Sequence, residues 1–210
     1  MYIPEHFKPM REEDLHALIH DHPLGVLVTH GEGGFDANHI PFELDLKEGR
    51  PGTLRAHVAR ANPVWQEVRN GDEVLVIFRA EQAYVSPNWY PSKHENHKSV
   101  PTWNYSVVHA HGKIAIRDDE HYVRGVVAGL THHHEASQPQ PWKMSDAPKD
   151  YIAAMIKAIV GIEVEVTQLT GKFKLSQNRE ARDLLGAVDG LKGRGNDALA
   201  QAMLDHMPNT

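Results

Sequence analysis

The chain has 210 residues and not one cysteine. That excludes disulfides, thiolate metal sites and thiol catalysis, so any redox chemistry must come from a bound cofactor or metal. It also lacks an apolar run long enough to cross a bilayer and any signal-peptide pattern, which predicts a cytoplasmic protein with no membrane partner. Positive charge is not in excess: 22 lysines and arginines stand against 28 acidic residues, a formal net charge of −6. Nothing global therefore points to nucleic acid or anionic lipid. The nucleotide and nucleophile motifs GxSxG, GxxxxGK[ST] and GxGxxG are missing, and so are the zinc patterns HExxH and HxxEH. There is no fixed-period repeat and no low-complexity segment.

What is present is a strand-rich first half. Residues 11–23 read as a short helix with Leu15, Leu18 and Ile19 on one face. Compact apolar runs follow at 24–30, 37–44, 53–59, 70–79 and 83–87, separated by GEGG at 31–34, KEGRPG at 47–52 and an Asn-Gly turn at 70–71. Residues 103–117 are long enough for one bent strand or two, and 162–169 alternates with period two. Strands this short and frequent suggest a barrel rather than a parallel sheet. Helices are expected at 118–130 and 145–161, the second with Gly161 as its C-terminal cap. Two more are expected in the tail, about 178–189 and 196–206. The closest thing to a linker is ASQPQPW, 136–142. The reading is a mainly β chain with flanking helices, divided as 1–177 for the barrel and 178–210 for a helical extension packed on it.

Four stretches carry candidate chemistry. In HVARANPVW, 57–65, a strand ends near Ala59, Asn62 suits an N-cap and Pro63 the first helical position. Arg60 beside a helix N-terminus would make a phosphate cradle; the alternative, favoured by how common strand-to-helix turns are, is an ordinary capped helix with a solvated arginine. In GKFKLSQNR, 171–179, Lys172 and Lys174 point to one face of an extended chain, and Ser176, Gln177 and Asn178 offer uncharged hydrogen-bonding groups. The alternative is a solvated strand edge. The aromatic segments YVSPNWYPSK, 84–93, and VPTWNY, 100–105, bring Trp89, Tyr90, Trp103 and Tyr105, which stack on a planar ligand or fill the core. Finally, THHHEA at 131–136 puts His132 and Glu135 on one helical face, and His109 and His111 flank one strand position. Neither completes a metal pattern, and no metal is expected.

With MYIPEHF at the N-terminus, HIP at 39–41, HVARANPVW, AYVSPNWYPSK, VPTWNY, AIVGIEVEV at 158–166 and GKFKLSQNR, the chain resembles the PaiB family of FMN-binding split-barrel proteins, described as negative transcriptional regulators. The resemblance runs nearly end to end. It implies a homodimer of split β-barrels like those of the pyridoxamine-phosphate-oxidase-like flavoproteins, with FMN in the dimer crevice. It also implies site residues. Arg60 and Asn62, with the backbone of His57, Val58 and Ala59, would hold the phosphate. His39 and Pro41 would face the flavin, and Trp103 and Asn104 would approach its ring or ribityl chain from the same or the partner subunit. Lys174, Ser176 and Gln177 would close the pocket. No catalytic residue is recognisable.

Three functions follow: an FMN-binding regulator acting indirectly, a flavin-dependent oxidoreductase on a small molecule or redox partner, and a haem- or metal-handling split barrel. Direct DNA binding by the tail is not expected. Over 178–206, Arg179, Arg182, Lys192 and Arg194 face Glu180, Asp183, Asp189, Asp197 and Asp205, whereas a DNA-reading element needs a positive excess. Leu199, Met203 and Met207 look like a packing face.

Overall fold

The computed structural model describes residues 1–9, 11–46 and 51–208. In chain order the elements are α1 (Glu12–Asp21), β1 (Leu24–Gly31), β2 (Gly34–Pro41), β3 (Glu43–Asp45), β4 (Thr53–Ala59), α2 (Val64–Glu67) and β5 (Glu73–Val85). Then come α3 (Pro91–Asn96), β6 (Thr102–Arg117), α4 (Glu120–Glu135), α5 (Lys149–Lys157), β7 (Ile159–Lys174), α6 (Ala181–Lys192) and α7 (Asp197–Asp205). The strands form one sheet in the order β2-β1-β5-β6-β7-β4-β3. The pairings of β1 with β2 and β5, and of β4 with β3 and β7, are antiparallel. The mainly β reading with flanking helices holds.

The chain makes two compact units. One comprises residues 1–18, 79–108 and 170–210, the other 19–78 and 109–169; β5, β6 and β7 each contribute to both. In the second unit β4 alternates, with Leu54, Ala56 and Val58 buried, and its β7 partners Val160, Ile162 and Val164 are buried with them. β2 and β4 lie near opposite ends of the sheet order, yet they come side by side. This part of the sheet therefore curls into a barrel that closes without a ladder. The seam is bridged by side chains: Asn62 Nδ2 donates to Asn38 Oδ1 at 2.7 Å. α4 covers β4 and β3 with Val123, Val126 and Leu130 buried.

In the first unit the tail is a packed element. α6 buries Leu184, Ala187, Val188 and Leu191, and α7 buries Leu199, Ala200 and Met203. α6 sits on α3 and on the 3₁₀ turn Pro87–Trp89. The buried Asp183 carboxylate accepts from Ser92 N at 3.0 Å and from Ser92 Oγ, which satisfies a charge that burial would otherwise penalise.

Several elements differ from the sequence reading. The runs 70–79 and 83–87 are parts of one strand, β5, because the polar residues between them keep extended backbone although they bury little. Residues 103–117 lie in a single strand, and 162–169 is the middle of a strand running from Ile159 to Lys174. α4 continues through the histidines to Glu135. Residues 47–50 of the expected turn at 47–52 lie outside the described residues. Gly161 caps nothing: α5 ends at Lys157 and Gly161 pairs with His57 inside the β7–β4 ladder. A Cβ there would stand 2.7 Å from the Tyr122 ring and 2.8 Å from the Arg117 carbonyl, so the glycine admits a close approach rather than a turn.

Gly161→Ala should therefore destabilise the protein by about 1–3 kcal/mol, measured by urea denaturation. Gly33→Ala, where nothing lies within 4 Å of the new Cβ, should change stability by less than about 0.5 kcal/mol. Equal effects at the two positions would refute the packing explanation.

Candidate functional site

The second unit holds His39, Pro41, His57, Val58, Ala59, Arg60 and Asn62. His39 and Pro41 are exposed on β2 on either side of the buried Ile40, so they share the outward face. Val58 is buried, and His57 to Ala59 pair with Gly161 to Ile159 of β7. Arg60 is more committed than a solvated arginine. Its Nη1 donates to Asp118 Oδ2 at 2.9 Å and its Nη2 to Asp118 Oδ1 at 2.5 Å. Its Nε donates to the Lys157 carbonyl at 2.8 Å and Nη2 also reaches the Ile159 carbonyl. The Arg60 amide bonds the Ala158 carbonyl and the Asn62 amide bonds the Ala59 carbonyl.

The donors that this turn was expected to offer a phosphate are thus engaged within the chain. The helix after it is one turn, Val64–Glu67, with Pro63 at its cap. Asn62 does not sit at the cap; its Oδ1 accepts from Val64 N at 3.0 Å in an Asx turn while its Nδ2 bridges the barrel seam. The turn carries an arginine clamp and a seam amide. Asp118 lies 58 residues away in sequence, and no local pattern announces it.

His57 is one of the second unit's perturbed titratable groups. Its Nδ1 is buried without a hydrogen-bond partner, and burial lowers its pKa below the ordinary 6.5. At the end of α4, His132 and Glu135 border a cleft with Trp142, and Glu135 Oε2 accepts from Trp142 N at 2.8 Å. His133 stands edge-on to His20 and to His134, with ring centroids 4.4 and 4.9 Å away. Among the described residues no group of three or more His, Asp or Glu side chains is placed to hold a metal ion.

The first unit holds Trp103, Asn104, Lys174, Ser176 and Gln177, and it brings most of them together. Asn104 is 1% exposed. Its Nδ2 donates to Ser176 Oγ at 2.9 Å, with the Met203 sulfur at 3.3 Å, and its Oδ1 has no partner. Ser176 has φ 67°, a left-handed conformation that a serine adopts only when its surroundings impose it. Gln177 folds back on the end of β7: Oε1 accepts from Leu175 N at 2.8 Å and Nε2 donates to the Phe173 carbonyl at 2.6 Å. Its amide ends the strand and fixes the sharp turn at Ser176.

Lys174 Nζ donates to Thr102 Oγ1. Its pKa is lowered, by burial first, then by Lys172 and Arg179 against an opposite pull from Tyr105. The four aromatics divide. Tyr90 is fully buried and Trp89 lies against α6 beneath Gly190, so both serve packing. Trp103 is 52% exposed with Tyr84 edge-on to it, ring centroids 6.5 Å apart.

A family model described as "Putative FMN-binding domain" matches residues 1–168. The chain belongs to the PaiB-like FMN-binding family. A protein of Emericella nidulans is 36% identical, covering 88% of this chain and 87% of the relative. The protease synthase and sporulation protein PAI 2 of Bacillus subtilis is 29% identical, covering 93% and 91%. Among solved structures, the flavocytochrome Anf3 of Azotobacter vinelandii matches with a TM-score of 0.56 at 11% identity, covering 82% of this chain and 72% of that one. The FAD- and haem-binding protein of Mycobacterium smegmatis matches with a TM-score of 0.56 at 14% identity, covering 86% and 79%. These likenesses show the split-barrel fold. The cofactor of this family member is FMN. Its own residues fit such a group: Trp103 and Tyr84 offer exposed ring surface, and Lys172 and Lys174 are half-buried with no carboxylate partner among the described residues.

Burial lowers His109 and His133 as well as His57. The unfolded chain then takes up protons at these positions before the folded chain does, so stability should fall as pH drops below about 6.5. Urea midpoints measured between about pH 7.5 and 5.5 should decline, and His57→Gln should shallow that decline. Midpoints that stay level in the unaltered protein would contradict the assignment.

Proposed function

We propose that this protein is an FMN-dependent regulator that acts indirectly, through flavin redox state, a small molecule or a protein partner, and that it works as a homodimer. The carrying observation is the condition of the tail. Both tail helices bury their apolar faces within the first unit, and their arginines are engaged. Arg182 pairs with Glu95 and Glu180. Arg194 lies over the Trp89 ring at 5.4 Å, and Arg179 over Tyr90 at 4.9 Å. A recognition helix needs cations free to meet phosphates and side chains that reach base edges; α7 carries neither lysine nor arginine.

Bound FMN supplies electron and hydride transfer. The chain's own contribution is to bind and orient. The Gln177 cap and the left-handed Ser176 hold the end of β7 in place, and the buried Asn104 donates to Ser176 Oγ beneath it. Among the described residues no side chain in this cluster is placed as a nucleophile or as a paired acid and base, so any redox step would be carried by the flavin. Support for the dimer comes from apolar surface left exposed on each unit: Val100, Trp103 and Tyr84 on one, Phe35 and Leu24 on the other. A second copy would remove such surface from water.

The purified protein should show flavin absorption bands, scatter light as a dimer and leave duplex DNA unbound at low salt, where electrostatic binding is strongest. NAD(P)H-dependent bleaching under turnover would favour an oxidoreductase, and a Soret band a haem protein. Tight DNA binding that disappears on deletion of residues 190–210 from an intact barrel would overturn the indirect reading.

A further inference from the structure

We propose that the cleft at the end of α4 is a further ligand site, for a zwitterion with an apolar side chain: an apolar α-amino acid whose ammonium meets Glu135, whose carboxylate meets Lys143 and whose side chain lies on Trp142. The cleft encloses about 460 Å³, within the range of small-molecule sites, and every residue lining it belongs to the second unit. One wall is a face of α4, where Ala128, Thr131, His132 and Glu135 recur at helical spacing. The other face of the same helix carries Val123, Val126 and Leu130 into the core. The second wall is the run Pro141 to Met144, with Trp142 42% exposed. Neither the flavin reading nor the packing of the barrel uses this face of α4.

The second wall is held by its backbone. Glu135 Oε2 accepts from Trp142 N at 2.8 Å, and Asp146 Oδ2 accepts from Lys143 N at 3.0 Å. Two consecutive amides are thus anchored, which fixes where the Trp142 ring and the Lys143 side chain leave the chain. These bonds do not neutralise the charges in the cleft. Glu135 receives one uncharged N–H, and the Lys143 ammonium takes no part in the bond its amide makes. Among the described residues neither side chain belongs to an ion pair, with each other or with any third residue. Opposite charges that line one cleft without meeting are complementary to a ligand that carries both. A simple amine would leave Lys143 unmatched and a simple acid would leave Glu135 so, which discriminates against each. The C-terminal end of α4 adds negative partial charge at Glu135 and favours the ammonium there. Trp142 and Met144, with Pro141 and Ala128, supply apolar and polarisable surface for the rest of the ligand. The site is independent of the flavin reading, and its failure would leave that reading standing.

The test titrates the full-length protein with L-phenylalanine and L-leucine, and with 2-phenylethylamine and 3-phenylpropionate as the amine-only and acid-only probes. Binding is read by NMR at the indole N–H signal that Trp142→Phe removes. Both amino acids should move that signal, and phenylalanine should bind about tenfold or more tightly than either single-charge probe. Glu135→Gln keeps an acceptor for Trp142 N; it should weaken phenylalanine and the amine about tenfold and spare the acid. Lys143→Met keeps the backbone bond to Asp146; it should weaken phenylalanine and the acid and spare the amine. Both side chains lie on the surface of the cleft, so melting temperatures should change little. The assignment is overturned if neither amino acid moves the Trp142 signal up to about 10 mM, or if one single-charge probe binds as tightly as phenylalanine. It is also overturned if the two variants affect all three phenyl ligands alike or none of them.

Discussion

Three long strands set the conditions for the rest of the molecule. β5 has 13 residues and β6 and β7 have 16 each, where strands of globular proteins usually run to about 5 or 6. Each of these strands contributes residues to both units. β6 buries Val107, Val108, Ala110 and Ile114, and β7 buries Val160, Ile162, Val164 and Val166 in its first half. Their ends carry polar and aromatic side chains, including Trp103 and Tyr105 on β6 and Lys172 and Lys174 on β7. The candidate site is thus built on ladder-held backbone, which fixes side chains more closely than loops do.

The second unit shows what happens where such a sheet curls without completing its ladder. β2 and β4 meet through side chains, and the turn after β4 has to hold that meeting in place. Arg60 and Asn62 do so: one ties the turn to Asp118 and to the carbonyls on either side of the α5–β7 junction, the other links β2 to the turn. The Arg60–Asp118 pair is exposed and contributes little as an ion pair. Its effect is positional, since four donated bonds leave the guanidinium nowhere else to go.

Much of this was legible in the sequence. Period-two alternation located β4 and the middle of β7, and helical spacing located α1, α4, α6 and α7, because each buries one face against a core. The unread parts have a common cause. The centre of β5 reads as a break since Arg79, Glu81 and Gln82 are polar, while strand geometry there is imposed by neighbouring backbone. Gly161 reads as a cap because glycine after a helical run usually is one; the Tyr122 ring and the Arg117 carbonyl, 39 and 44 residues earlier in sequence, explain it. Arg60 reads as a phosphate ligand because a strand, an arginine and an Asn-Pro helix start are the local signature of a cradle. The carboxylate and carbonyls that occupy it come from distant segments.

The two basic stretches differ for a physical reason. Cations are equally visible in HVARANPVW and GKFKLSQNR as text. What separates them is whether the folded chain provides a counter-charge. Around Arg60 it provides a carboxylate and two carbonyls. Around Lys172 and Lys174 it provides aromatic faces, a threonine hydroxyl and a further arginine. A local residue pattern therefore does not decide whether a cation is already engaged; the counter-charge that the folded chain brings to it does.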